Sequence, residues 1–403
     1  MSLTNYKIAF DNAYEEVFQK VLVAKKSVAN TRFQPNLKFG ASVERFSYDI
    51  SGVRVRTVTR GAASTIDTVS DSNELLTINL EKEAVFHISD GEVTQTGPLN
   101  PGEVIGAQVA IKVALDLDGR VFSEVTNAYQ TFDNGDLTTL SSTGSSISLS
   151  STTVPQMVSR MPAKLRRGAN QEIMSNMIFV VDSFGASDVA QYLLGKNIDL
   201  AGSVFKNGYT GDISNAQVFV SEKLKSTAVL SIATTPTDGD TVTIGGVVFT
   251  FKTTLGSTAG NVAIGGSADA ARLNLSELIN APGTTDAGQV ALSAANQAII
   301  SDTLGLTAVD DAAGNTMTLT GVGSGRLVLA ETLTDATDAW TKNYIHAYFG
   351  KKGAIDLVVQ DISSVDMRQT PDRRGTNVFS SYLAGVKTFS DGAKKFLDVW
   401  ITA

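Results

Sequence analysis

Residues 41–72 read ASVERFSYDISGVRVRTVTRGAASTIDTVSDS. Val, Thr, Tyr and Phe alternate with polar residues through this stretch, the period of two that marks strands with one covered face. Ser51-Gly52 lies between Tyr48-Asp49-Ile50 and Val53-Arg54-Val55 and predicts a hairpin turn there. Arg45, Arg54, Arg56 and Arg60 are interleaved on the polar face. Too few apolar residues remain to bury both sides, and a two-stranded ribbon alone in water is marginal. The ribbon therefore has to lie on a body, either its own or that of another molecule.

On the N-terminal side, Phe10, Tyr14, Val17, Phe18, Val21 and Leu22 recur at three- and four-residue spacing. Asp11, Glu15 and Glu16 come early and Lys25 and Lys26 late, an order that suits a helix dipole. Residues 27–40, with Pro35, read as an extended arm that can reach a neighbour. On the C-terminal side, residues 75–88 read as strand, and residues 101–125 carry the strongest helix signal in the chain. Asn100 is a suitable N-cap, Pro101 takes the first helical position and Glu103 the capping-box place. Ile105, Val109, Val113, Leu117, Val121 and Val125 form an unbroken i, i+4 ladder, flanked by Val104, Ile111, Leu115 and Phe122. Some 25 residues at 1.5 Å rise make a rod of ~37 Å, buried on more than one side. Gly119 is its weak point.

With 403 residues, 42% apolar and 18% charged, the chain is long enough for two or three folding units and too apolar for disorder. It has no cysteine, which excludes disulfides, thiolate catalysis and Cys-ligated zinc. His87 and His346 are far apart and read as structural, so neither a His-based triad nor an enzyme is expected. No cofactor or metal site is expected. No apolar run approaches the ~20 residues of a membrane helix. No signal-peptide core follows Met1, which leads to the expectation of a protein made and used in a cytoplasm.

The formal charge is −8. Eleven acidic and three basic residues fall between Ser226 and Trp340, so that segment carries the whole excess, and thirty of each sign balance elsewhere. Such asymmetry marks a module. Within it, residues 241–251 read as a hairpin around Gly245-Gly246, residues 267–280 as a helix with Ala271, Leu275, Leu278 and Ile279 inward, and residues 317–320 and 326–330 as strands. The segment looks inserted between a strand–helix–strand block (177–182, 186–194 ended by Gly195, 216–221) and a closing set of strands (353–360, 378–389, 396–401). Residues 134–151 read as a Ser/Thr/Gly-rich surface stretch.

The glycine clusters carry no chemistry. Residues 256–266 lack the Gly-Lys-Ser/Thr of a phosphate loop, and Gly321-Val322-Gly323-Ser324-Gly325 has no helix after it. Asp310-Asp311 with Asn315 does not have EF-hand spacing and reads as a solvated turn. Two basic clusters remain: Lys164-Leu165-Arg166-Arg167 in a loop-like tract, and Arg368 with Arg373-Arg374 around Pro371. Either could face nucleic acid or pair with acidic groups across subunits.

The order arm, ribbon, long helix, α+β block and closing strands resembles the major capsid proteins of tailed bacteriophages, the Hong Kong 97 (HK97-like) fold. Asn207-Gly208-Tyr209-Thr210-Gly211-Asp212-Ile213 running into Ala216-Gln217-Val218-Phe219-Val220-Ser221 is similar to the family's axial-domain pattern. Gly353-Ala354-Ile355 and residues 385–392 are similar to its final segments. The resemblance implies an α+β fold with an N-terminal arm (1–40), an E-loop hairpin (41–72) and a peripheral domain (73–150) with its spine helix at about 100–127. The axial domain (151–225) follows, then the inserted acidic domain (226–340) and a return through closing strands (341–403). Residues 243–247, 262–267 and 273–280 look like small modules inserted in phage capsid and tail proteins, which implies an outward-facing decoration. No residue matches the family's Lys–Asn cross-link motif, and none is nominated.

The implied function is a structural shell subunit, self-assembling as hexamers and pentamers around double-stranded DNA in the virion after assembly in the host cytoplasm. Its implied partners are further copies of itself, DNA through non-specific contacts, and scaffolding, portal and decoration proteins, with no membrane. Arg45, Arg54, Arg56 and Arg60 are the expected intersubunit contacts. Lys164, Arg166, Arg167, Arg373 and Arg374 are the expected DNA-facing or intersubunit basic residues. The rival readings are an encapsulin-type nanocompartment shell and a tail or fibre protein.

Overall fold

The computed structural model describes residues 17, 22–32, 42–49, 53–57, 59–61, 63, 66–89, 101–168, 176–194, 212–213, 216–369 and 374–403. Most of the expected N-terminal helix, the Ser51-Gly52 turn, Gly195, Asn207 to Gly211 and Arg373 lie outside these residues. The chain is an α+β protein that divides into two compact units.

In the unit that contains residues 29–113 and 353–393, a four-stranded sheet runs in the order Ala29–Asn30, Ile355–Gln369, Thr376–Lys387, Leu80–Ile88. The two long strands are antiparallel, from Asp356 opposite Lys387 to Gln369 opposite Thr376. The ribbon is a separate pair: Ser42–Asp49 is antiparallel to Ser70–Thr77, with Ser42 opposite Thr77 and Asp49 opposite Ser70. At ~3.4 Å per residue its paired part is ~27 Å long.

The described part of the ribbon pairs Asp49 with Ser70, not with the 53–55 stretch. Burial at the base fixes the choice. Leu76 and Ile78 join Val358 and Phe389 in a small core, with Val43 and Leu383 packed against it. A register that paired residues 48–50 with 53–55 would take Val43 away from Leu76, its partner across the ribbon. The ribbon base also passes very close to the sheet: a Cβ on Gly385 would lie 2.7 Å from the Thr77 carbonyl oxygen. The expected 75–88 strand is accordingly two strands, the ribbon's return and Leu80–Ile88.

The other unit contains residues 20–28, 114–352 and 394–403. Its main sheet has the order Leu306–Asp311, Thr316–Gly321, Ser226–Ser231, Ala339–Lys351, Met177–Val181, Ala216–Val220, Asp212–Ile213. Ala339–Lys351 is the hub. Residues 339–345 pair with Ser226–Ser231, residues 348–351 with Met177–Val181, and the opposite edge with Phe396–Thr402. Strands of the acidic segment thus continue the sheet that holds Met177–Val181, whose five residues are all buried. The same segment also encloses a core of its own. A second sheet (Asn261–Ala263, Val247–Lys252, Thr241–Ile244, Leu329–Glu331) and the helix Ala268–Asn280 bury Phe249, Phe251, Leu275, Leu278, Ile300 and Leu319. Ser267 caps that helix, its side chain accepting from the Ala270 amide.

The long helix runs Pro101–Ser123 and continues as a 3-10 turn, Glu124–Asn127. Val109 to Val125 of the ladder are buried, as are Ala110, Ala114, Asp118 and Phe122 on a second flank, while Ile111 is exposed. Gly119 lies where another backbone touches the helix: a Cβ there would be 3.0 Å from Cα of Gly323. The glycine cluster at 321–325 is therefore a contact loop, with Gly323 (φ +70°) and Gly325 (φ +62°) in left-handed conformations.

Candidate assembly surfaces

The four arginines of the ribbon have different fates. Arg45 sits at the base and is committed within its own chain. It donates to Asp391 at 2.6 Å, lies 3.9 Å from Asp356, and its guanidinium is 5.1 Å from the centre of the Phe389 ring. Arg56 makes a two-pronged pair with Asp67, at 2.8 and 2.6 Å, across the loop that closes the ribbon. The Arg54 amide donates to the same carboxylate at 2.9 Å. Arg56, followed by the Arg54 amide, holds the Asp67 carboxyl below the usual carboxylate range. Arg54 and Arg60 are exposed. Around this clip the loop carries apolar side chains in water: Val53 is 50% exposed, Val55 106%, Ile66 89% and Val69 50%.

Lys164-Leu165-Arg166-Arg167 lies in the last turn of the helix Thr153–Gly168, not in a loop. Val154, Met157, Met161 and Leu165, all buried, are the helical repeat that identifies it, and Pro162 obscures the signal. Lys164 is itself buried. It pairs with Asp136, donates to Ser142 Oγ at 3.0 Å and lies over the Phe132 ring. It is thereby withdrawn from the surface, which leaves Arg166 and Arg167 exposed. Arg368 and Arg374 are exposed, and the Arg368 guanidinium stacks 5.3 Å from the Phe379 ring centre. Sequence reading placed these charges but not the partners of Lys164 and Arg368, which sit on neighbouring elements and outside any local pattern.

His346 is the centre of a buried polar chain. Its Nδ1 faces both Asp398 oxygens at 2.9 and 2.8 Å, and its Nε2 meets Thr227 Oγ1 at 2.8 Å. The Trp400 indole donates to Asp398, and Tyr344 stacks on Trp400 with ring centres 4.7 Å apart. An acid, an imidazole and a hydroxyl in line have the form of a catalytic relay, but His346 and Asp398 are buried in sheet packing. The chain ties three strands together. His87, on Leu80–Ile88, meets Asn377 across the neighbouring strand at 2.8 Å.

A cavity of about 200 Å³ in the acidic segment is lined by Thr234, Thr237, Asp240, Thr334, Asp335 and Asp338, among others. Its carboxylates are occupied. Asp338 accepts from the Ala233 amide, Asp240 from the Thr237 amide and the Thr334 hydroxyl, and Asp335 from Thr337. Of the acidic pair at 310–311, Asp310 accepts from the buried Arg272 and Asp311 from the Gly314 amide in a turn.

No protein-family model matches the sequence. No curated protein matches it either. Among solved structures, the chain is similar to the capsid structure of the cyanophage P-SCSP1u at 10% identity and a TM-score of 0.47, over 93% of this chain and 86% of that one. It is similar to a structure from Mycobacterium phage Che8 at 13% identity and a TM-score of 0.46, over 92% and 88% of the two chains. It is also similar to the asymmetric unit of the bacteriophage PhiM1 mature capsid at 10% identity and a TM-score of 0.44, over 90% and 82%.

Proposed function

We propose that this chain is the major capsid protein of a tailed bacteriophage, a structural subunit that closes into an icosahedral shell around phage DNA. The ribbon carries the reading. Its base is seated on its own unit through Val43 and Leu76, and its far end presents Val53, Val55, Ile66 and Val69 bare to water. A chain that buries a core of fully enclosed aromatics yet leaves this loop uncovered is built to be covered by a neighbour.

In HK97-like terms the ribbon is the E-loop and Pro101–Ser123 the spine helix of the peripheral domain. The sheet around Met177–Val181 belongs to the axial domain. The acidic segment 226–340 is an insertion facing outward, because its net charge of −8 would be repelled by packaged DNA. Arg166, Arg167 and Arg374 are the basic residues that face DNA or a neighbouring subunit, and contacts to DNA are non-specific. Arg54 and Arg60 remain as intersubunit contacts. Many modest contacts repeated around a closed shell supply the stability. The virion is its place, assembly occurs in the host cytoplasm, scaffolding, portal and decoration proteins are its further partners, and no catalytic role is assigned.

Electron microscopy and sedimentation of the full chain, expressed alone and with its neighbouring phage genes, test this. Closed shells of uniform diameter are expected. A well-folded monomer under every assembly condition, or tubes and rods in place of shells, would overturn the proposal.

A further inference from the structure

We infer that the buried ion pair of Lys164 and Asp136 is the reactant state of a condensation, Nζ to Cγ with loss of one water, which links the helix Thr153–Gly168 covalently to the turn Asn134–Leu137 of the same chain. The bond lies within one folded chain and does not depend on the shell-subunit reading.

Both groups are held in place from separate elements. The Asp133 amide donates to Asp136 Oδ2 at 3.0 Å, and the Asp133 carboxylate accepts the Gly135, Thr143 and Gly144 amides. These bonds fix the Asp136 carboxyl and set Ser142 beside it. Lys164 arrives from the last turn of the helix, its side chain 10% exposed against 0% for Asp136. Its Nζ touches Oδ2 and lies over the fully buried Phe132 ring. Groups held in contact by a fold react as though at a concentration of roughly 10⁵–10⁸ M.

Two observations set this pair apart from an ordinary ion pair. Asp136 Oδ1 is enclosed and finds no donor among the described residues. In the other deeply buried pair, Asp182 receives the Gly185 amide on Oδ1 and Arg326 on Oδ2. A buried carboxylate oxygen without a donor is costly, and condensation removes one oxygen. Secondly, Ser142 Oγ accepts from Nζ at 3.0 Å and donates to Oδ2 at 3.3 Å, so that one hydroxyl touches both reacting groups.

The steps follow from this arrangement. One ammonium proton passes to the carboxylate, leaving a neutral amine against an acid whose O–H is on Oδ1. The Nζ lone pair attacks Cγ, and the charge that develops on Oδ2 faces the Asp133 amide and the Ser142 hydroxyl, two donors already in position. The Cγ–Oδ1 bond breaks, and Oδ1 leaves as water with a second proton from the nitrogen. An ammonium and a carboxylate contain every atom of an amide and a water, so no oxidant or co-reactant enters. Ser142 is exposed and opens a way out for the water. The product closes residues 136–164 into a covalent loop, a staple of the disulfide kind in a chain without cysteine.

Mass spectrometry of the denatured full chain tests this against Lys164→Arg, which keeps the positive charge but is not an amine that can form this bond. The wild type is expected to be lighter than the variant by one water beyond what the substitution accounts for. Its digest should contain the Asp136 peptide joined to the Lys164 peptide. Equal departures from the two sequence masses would overturn the inference, as would a water deficit that maps to any other residues. Ser142→Ala changes only an exposed hydroxyl and is expected to leave most of the chain unlinked. Complete linkage in that variant would overturn the placing of Ser142 in the reaction.

Discussion

Asp118 occupies a position where a helix would ordinarily place an apolar residue. It is fully enclosed, and its two oxygens accept the Val23 and Ala24 amides at 2.9 Å each, securing the helical turn Val23–Lys26. Burial pushes its carboxyl up to about 7, against the opposing effect of those two amides and of Lys26. A carboxyl raised in the folded state favours folding most when protonated. The stability it contributes is therefore full below the ordinary value of 3.8 and declines as pH rises through about 7. At ~1.4 kcal/mol per pKa unit the total is on the order of 4 kcal/mol. Urea titrations at pH 5 and pH 8 should show the wild type losing stability with rising pH and Asp118→Asn losing much less. Equal slopes for the two proteins would show that the group is ionised throughout. Lys164 and Arg326 illustrate the complementary case, cations whose value lies in the buried carboxylates of Asp136 and Asp182 that they neutralise.

Among the elements, the strand Leu306–Asp311 shows how the acidic segment protects itself. It lies at the end of the main sheet, with its outer side unpaired by any strand among the described residues. Asn280, the last residue of the helix beside it, supplies the missing partner. Its Nδ2 donates to the Ala308 carbonyl at 2.8 Å, and its Oδ1 accepts the Ala308 amide at 2.9 Å. A side-chain amide here takes the place of a neighbouring peptide, and Arg272 holds Asp310 two residues on. Open edges invite pairing with other chains. Asn280→Leu should cost about 2 kcal/mol in denaturant titrations, the price of two unpaired backbone groups, and raise light scattering on mild heating. Unchanged scattering would mean that the edge is covered by something else. The ribbon is governed by the same competition, and its register answers to Val43 and Leu76 rather than to its local turn residues.

At the level of the whole molecule, the acidic segment is fastened to the rest of its unit at several points. Arg326 pairs with Asp182, donates to the Thr402 carbonyl at 3.0 Å and covers the Phe184 ring. The Gly325 amide donates to the Leu224 carbonyl, and Gly323 touches Gly119. Arg326→Ala would leave the fully buried Asp182 without its cation, a loss of roughly 3–5 kcal/mol. Hydrogen exchange should then speed up in residues 321–328 and 396–402 together. Faster exchange in the first stretch alone would mean that the strand Phe396–Thr402 does not depend on this anchor.

Much of this organisation could be read from the chain alone. The i, i+4 ladder of the long helix, the capped helix after Ser267, the hairpin around Gly245-Gly246 and the concentration of negative charge between Ser226 and Trp340 are all local patterns, and local patterns are what backbone propensity and periodicity encode. The helix Thr153–Gly168 carries a legible repeat too, in Val154, Met157, Met161 and Leu165, although Pro162 within it lowers the local helix propensity. Tertiary structure decided the ribbon's register, the commitment of Arg45 to Asp391 and of Lys164 to Asp136, and the continuation of the acidic segment's strands into the main sheet. The reason is physical: a period of two or 3.6 is set by neighbours in sequence, whereas burial and ion pairing depend on which distant residues meet in the fold, as the buried His346 and Asp398 do across 52 positions of chain and Arg45 and Asp391 across 346.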